Sequence, residues 1–174
     1  MQENAMYQQI GRFIVMFQRV EQKLTELLVL MTDADCEFTR ILVNELEYGE
    51  RVKATDVMFG RFFDLRNRNN PDQAVKQQFH VLMVELLRLG ERRNEIVHSK
   101  YTTFISVKGV AGLRRENAKL KASKGRREVK EEDILPGSFE EDFKDLSAAH
   151  QSLEDFRLKV IDWLYPPEDR LRVR

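Results

Sequence analysis

Apolar residues recur at steps of three and four near both ends of the chain, which is the spacing of one face of an α-helix. Only 8 Gly and 4 Pro interrupt the 174 residues, so long helices can run without a break. The pattern predicts an all-α fold in which residues 1–174 form a single domain, a helical bundle. The two series are Ile10, Phe13, Phe17, Val20, Leu24, Leu27 and Met31, and Phe143, Leu146, Leu153, Phe156, Val160 and Trp163.

Three shorter helices are predicted between these two ends. A second helix begins at about residue 38, and a third runs from about residue 52 to 62, with Gly49 as the break between them. Asn70 is a suitable N-cap and Pro71 suits the first helical position, so a fourth helix starts there. The bundle therefore has about five helices.

Residues 101–136 are expected to form an insertion before the last helix. The stretch "YTTFISV" followed by Gly109 and Gly112 predicts a short β-hairpin. The range 113–130 then has eight basic residues against Glu116 and Glu128, and we interpret it as a basic loop. Such a run can be a solvated surface loop or a contact for a phosphate backbone. The basic residues are Arg114, Arg115, Lys119, Lys121, Lys124, Arg126, Arg127 and Lys130.

The overall composition favours no particular polyanionic or membrane partner. The 29 basic and 29 acidic residues balance, so any preference for nucleic acid must be local. The single Cys36 excludes an internal disulfide and suits a reducing compartment. We find neither a signal peptide nor a stretch long enough to span a membrane, so the expected location is the cytoplasm.

The end of the fourth helix, "ERRNEIVHSKY", carries polar residues where apolar ones are expected. Arg93 lies seven residues after Leu86 and so continues its stripe, and Asn94 and His98 share a neighbouring face. We therefore expect all three on the packed side, with a partner facing Arg93, because a buried guanidinium needs one. The solvent side is assigned to Glu85, Arg88, Glu91, Arg92 and Glu95.

Two interpretations of this cluster remain open. In the first, Arg93 pairs with a carboxylate and His98 stabilises the helix end, so that the cluster only specifies packing. In the second, histidine moves a proton near neutral pH and arginine holds a phosphate, as phosphodiester chemistry requires. His80 and His150 are interpreted as packed or solvent-edge side chains. No convincing spacing of metal ligands is present, so no metal or cofactor is expected.

Residues 93–98 resemble the Arg-x4-6-His signature of the HEPN superfamily, in which the residue after the arginine is commonly Asn, His or Asp. The resemblance implies a helical bundle and a metal-independent endoribonuclease, as in toxin-antitoxin and antiviral systems. It implies that His98 is the general base or acid and that Arg93 stabilises the developing charge. Asn94 would position the phosphate or the imidazole, and the basic range 113–130 would hold flanking RNA.

The resemblance also bears on Tyr101 and on the partners of the chain. Some HEPN toxins carry Arg-x4-His-x-Tyr, whose tyrosine accepts a nucleotide. Tyr101 comes one residue later and is more simply the first residue of a strand.

Arg93 and His98 are about 140° apart around a regular helix, so one chain directs them poorly at one phosphate. A homodimer with its cleft at the interface can direct Arg93 of one copy and His98 of the other at the same phosphate. An antitoxin or regulatory partner is possible. The alternative is a non-catalytic adaptor domain that binds a nucleotide or a protein.

Overall fold

The computed structural model describes residues 2–32, 36–66, 73–121 and 125–166, which form five helices and one antiparallel sheet of three strands. The prediction of an all-α fold is therefore wrong, although most of the described residues are helical. The helices are α1 (Gln2–Thr32), α2 (Cys36–Asn44), α3 (Tyr48–Arg66), α4 (Gln73–Val97) and α5 (Glu140–Leu164), and the strands are β1 (Lys100–Ile105), β2 (Ala111–Lys121) and β3 (Arg126–Ile134).

The two long helical series are confirmed. Both α1 and α5 bury nearly all of the apolar residues predicted for their inner faces. The break between α2 and α3 lies at residues 45–47, and Gly49 is the second residue of α3 rather than the break. The predicted start of the fourth helix at Asn70 and Pro71 lies outside the described residues.

The basic range 113–130 is not a loop, because most of it belongs to two strands in the order β1-β2-β3. Opposite charges stand directly across from each other in the β2–β3 register, as in Arg114↔Asp133 and Arg115↔Glu132. Such cross-strand pairs stabilise a sheet. The strands are hard to predict because a charged residue, Arg115, takes a buried position beside Leu113, so the usual alternation of apolar and polar residues is missing.

The β1–β2 hairpin confirms the short hairpin predicted from the sequence. Its turn contains Gly109 at φ +73°, and the backbone N–H of Gly109 donates to the carbonyl of Ser106 at 2.8 Å. Gly112 is required by close packing, because a Cβ there would lie 2.8 Å from the Phe104 ring and 2.9 Å from the carbonyl oxygen of Ile134.

The described chain divides into two compact units, whose boundaries fall inside α1, α4 and α5. Unit 1 comprises residues 1–17 and 91–145 and contains the whole sheet. In its core the Phe13 ring lies 6.4 Å from that of Phe17 and 5.7 Å from that of Phe139. The single domain predicted for residues 1–174 stays a prediction.

Unit 2 comprises residues 18–90 and 146–174. An aromatic cluster forms its core, in which the Phe59 ring stacks on Phe79 at 3.8 Å and meets the edge of Phe156 at 5.4 Å. The Tyr48 hydroxyl donates to the carbonyl of Leu86 at 2.9 Å.

Within the described parts of the chain, none of the helices combines the length and the apolar character needed to cross a membrane.

Candidate active site

The end of α4 is closed by side chains from the segment that follows it. The backbone N–H of His98 donates to the carbonyl of Asn94 at 3.0 Å and extends the last turn. The Ser99 hydroxyl donates to the carbonyl of Glu95, and the Tyr101 hydroxyl donates to that of Ile96 at 2.7 Å. These bonds satisfy carbonyls that a helix end otherwise leaves unpaired.

Tyr101, the possible accessory residue, is thus a capping residue in this structure. Its side chain is half-buried, and burial raises the pKa of its phenol. Its hydroxyl donates a hydrogen bond to the carbonyl of Ile96 at the helix end, which supports the interpretation of Tyr101 as a packed strand residue.

Arg92, which the sequence analysis assigned to the solvent side, is the centre of an ion-pair network. Its guanidinium binds Glu132 through two hydrogen bonds of 2.7 and 2.9 Å, and it lies 3.1 Å from Asp142. Burial lowers the pKa of Arg92, but the hydrogen bonds to both carboxylates outweigh burial and raise it. The hydrogen bond from Arg92 is also the main reason why the pKa of Glu132 falls to about 2.

Arg115 joins the same network from strand β2. Its side chain is fully buried, and its guanidinium lies 2.5 Å from Glu132 and 3.3 Å from Glu95. Lys130 approaches Glu95 at 2.9 Å from the exposed side. The network therefore links α4, β2, β3 and the start of α5 within unit 1.

Two of the three residues predicted on the packed side lie in solvent. Asn94 and His98 are exposed, and Arg93 is half-buried. The expectation of the packed side is therefore wrong for Asn94 and His98, and so is the placement of Arg92 and Glu95 in solvent. The cause is the sheet, which packs on the side of α4 that carries Arg92 and Glu95.

The contacts of this trio are few. Arg93 donates to the side-chain oxygen of Asn94 at 3.0 Å, and its guanidinium lies 5.9 Å from the centre of the Phe17 ring. Arg93 has no carboxylate partner among the described residues. The His98 ring likewise has no hydrogen-bond partner in the part of the chain that the structure describes. The trio therefore presents an arginine, an amide and an imidazole that are available to a ligand.

The predicted RNA-binding residues differ in burial and in their partners. Arg115 is buried in the network and cannot contact RNA, and the exposed Arg114 is held by two hydrogen bonds to Asp133. Arg127 is exposed and lies 3.5 Å from Glu116. Lys124 lies outside the described residues. Lys119, Lys121 and Arg126 belong to the paired strands β2 and β3.

The two other histidines lie elsewhere in the chain. His80 is exposed in α4, and its Nδ1 lies 2.6 Å from Asp56 of α3. Both residues line an open cavity of about 510 Å³ in unit 2, together with Gly60 and Lys76. His150 is half-buried in α5. No cluster of three or more His, Cys, Asp or Glu side chains suited to a metal occurs among the described residues.

Sequence reasoning missed the residues that hold this region together. Glu132 and Asp142 were not singled out, although "EED" at residues 131–133 follows the basic range within one hairpin length. Opposite charges at that spacing are a signal for cross-strand pairing.

Comparison of the chain with protein-family models, with curated proteins and with solved structures finds no match. The function must therefore be argued from the residues at the end of α4.

Proposed function

We propose that the chain is a metal-independent endoribonuclease whose active site is formed by Arg93, Asn94 and His98. One observation carries the proposal: Asn94 and His98 are exposed and Arg93 has no carboxylate partner among the described residues, whereas Arg92 and Glu95, their neighbours in the same turns, are fixed in a structural network. An arginine, an amide and a histidine that the fold does not use for packing are suited to binding and cleaving a phosphodiester. The resemblance of residues 93–98 to the HEPN signature supports the same activity.

The proposed reaction is an internal transesterification. The His98 imidazole takes the proton of an RNA 2′-hydroxyl, and the 2′-oxygen attacks the adjacent phosphorus. The bond to the 5′-oxygen breaks, and that oxygen takes a proton from water while the His98 imidazolium returns its proton to solvent, which leaves a 2′,3′-cyclic phosphate and a 5′-hydroxyl. Arg93 stabilises the charge on the phosphoryl oxygens.

Asn94 has a positioning role in this proposal. Its side-chain oxygen accepts a hydrogen bond from Arg93 at 3.0 Å, so it restrains a guanidinium that lacks a carboxylate partner among the described residues. Its amide nitrogen remains a donor for a phosphate oxygen.

A second copy of the chain would complete the site. Residues five apart on a helix are separated by about 140° around its axis, so Arg93 and His98 of one chain aim poorly at one phosphate. A two-fold axis that brings two α4 ends together would place Arg93 of one copy beside His98 of the other. The exposure of Val97, at 41 %, supports an interface there.

The biological setting that the resemblance implies is a toxin or antiviral effector in the cytoplasm, with an antitoxin or regulator as a possible partner. If the cleavage test below fails while the trio still binds nucleotides or a protein, the function would instead be that of an adaptor.

The test is cleavage of single-stranded RNA by the purified chain in excess chelator. We expect products that end in a 2′,3′-cyclic phosphate and a 5′-hydroxyl, which mass spectrometry identifies. A 2′-deoxynucleotide immediately before the cut should block cleavage, because it removes the nucleophile. Activity that requires Mg²⁺, or cleavage of the deoxy-substituted strand at the same position, would contradict the proposal.

A further inference from the structure

We infer that the free end of the β2–β3 hairpin binds the phosphate backbone of a nucleic acid. We call this element the basic ribbon and define it as residues 117–121 and 126–130. The inference rests on the proposed function only in naming RNA as the biological ligand. The register of β2 and β3 and the positive charge of the ribbon support the binding itself.

The ribbon is a two-stranded extension of the sheet. Strand β1 pairs with β2 only along residues 111–116, where Lys100↔Glu116 is the last pair. Beyond that pair, β2 and β3 continue alone from Asn117↔Lys130 to Lys121↔Arg126. Five residues in each strand extend about 17 Å, so the ribbon can follow several phosphates of an extended strand.

Charge is divided sharply between the two halves of the hairpin. The base, residues 111–116 and 131–134, has two basic residues and four acidic ones, a net charge of −2. The ribbon has five basic residues and one acidic one, a net charge of +4. The base contains Arg114 and Arg115 against Glu116, Glu131, Glu132 and Asp133, and the ribbon contains Lys119, Lys121, Arg126, Arg127 and Lys130 against Glu128.

The ion pairs of the hairpin differ in burial. In the base, Arg115 is fully buried and lies 2.5 Å from Glu132, whereas Arg114 and Asp133 form an exposed pair at 2.7 Å. In the ribbon, the Arg127 side chain is 59 % exposed and lies 3.5 Å from the exposed Glu116. An exposed pair of this kind contributes little free energy, so a phosphate can replace its carboxylate.

By the strand register, residues 119, 121, 126 and 130 occupy positions on one face of the ribbon, and Arg127, paired with Leu120, occupies the other face. A row of cationic residues on one face suits a repeat of phosphates, because each contact releases a counterion. The ribbon also begins beside the proposed active site: Lys130 contacts Glu95, the residue that follows Asn94. A strand of RNA bound along the ribbon would therefore pass close to the end of α4. Contacts to the backbone alone carry no preference for ribose, so the ribbon should bind single-stranded DNA as well.

The experiment measures binding of the full chain to a labelled single-stranded DNA, which lacks the internal nucleophile, by fluorescence anisotropy over a series of salt concentrations. The ribbon variant is Lys119→Gln, Lys121→Gln and Arg126→Gln together, which are positions on one face of the ribbon. The control is Arg114→Gln with Asp133→Asn, which removes an exposed ion pair from the base without changing the net charge. A smaller variant, Lys121→Gln with Arg126→Gln, guards against misfolding, and circular dichroism melting monitors the fold of each protein.

We expect the wild type and the control to share one salt slope. Each phosphate contact with a single strand contributes about 0.7 to that slope, so the ribbon variant should lose up to about 2 and the smaller variant about two thirds as much. An unchanged slope in the folded ribbon variants, or an equal loss in the control, would overturn the inference. DNA binding through the ribbon without RNA cleavage would keep this inference and remove the proposed function, whereas cleavage without ribbon-dependent binding would do the reverse.

Discussion

Arg92 and Arg93 are adjacent in α4 and both half-buried, yet their polar partners differ. Arg92 binds two carboxylates, and its side chain is 17 % exposed. The polar contact of Arg93 among the described residues is with the amide oxygen of Asn94. These partners give Arg92 a structural role and leave Arg93 for the proposed role in binding or catalysis.

This difference predicts opposite effects on stability. Arg92→Ala leaves Glu132 and Asp142 without their shared partner, and breaking a buried ion pair of this kind costs roughly 3 kcal/mol. Arg93→Ala removes an exposed contact and should change the free energy of unfolding by less than about 0.5 kcal/mol. Urea denaturation of both variants measures the two values. A loss from Arg93→Ala as large as that from Arg92→Ala would make Arg93 structural and remove it from the site.

At this scale the sequence identifies candidate residues but not their orientation. Arg93, Asn94 and His98 stand out because they interrupt an apolar series, and the structure places them together at one helix end. Their exposure could not be predicted, because the earlier turns of α4 say nothing about the sheet that packs on its last turns. Arg92 and Glu95 were therefore assigned to the wrong side.

At the scale of elements, an ion-pair network connects α4 to the sheet. Arg115 is the central cation of β2 and is fully buried, and Glu132 of β3 accepts hydrogen bonds from both Arg92 and Arg115. A strand whose buried position is an arginine has no apolar alternation, which is why the sequence predicted a loop there. The helices were predictable because their apolar spacing is regular.

The network predicts a pH dependence of stability. The pKa of Glu132 is lowered from 4.5 to about 2 by its arginine partners, so its ionised form is stabilised in the folded state. This contribution is complete above the unfolded pKa, and it is lost as the pH falls from about 4.5 towards 2, on the order of 2 kcal/mol.

Urea denaturation of the wild type and of Glu132→Gln from pH 6 down through this window measures the effect. The variant should lose stability at pH 6 and show a flatter decline towards acid. Glu154, whose pKa is also lowered to about 2 by Arg157 and Lys23, is present in both proteins, so the difference isolates Glu132. Parallel pH curves would show that the Glu132 carboxylate is not stabilised in the fold.

At the scale of the whole molecule, the proposed activity depends on a second copy of the chain. One α4 end supplies Arg93 and His98 in directions about 140° apart, whereas two ends related by a two-fold axis supply a facing pair. The sequence predicts this arrangement in two ways: Arg93 and His98 are five residues apart on the helix, and residues 93–98 resemble the HEPN signature.

The most direct measurement is RNA cleavage by Arg93→Ala and His98→Ala, assayed separately and after mixing and re-equilibration, in excess chelator. Each variant alone should lose at least about 100-fold in rate, and the mixture should recover about a quarter of the wild-type rate, since half the dimers are mixed and each holds one complete site. Arg88→Ala and His80→Ala, which remove an exposed arginine and an exposed histidine of the same helix, should cleave like the wild type. Cleavage that survives in either single variant contradicts catalysis by this cluster. Two inactive variants that stay inactive when mixed contradict a complete site built from Arg93 of one copy and His98 of the other.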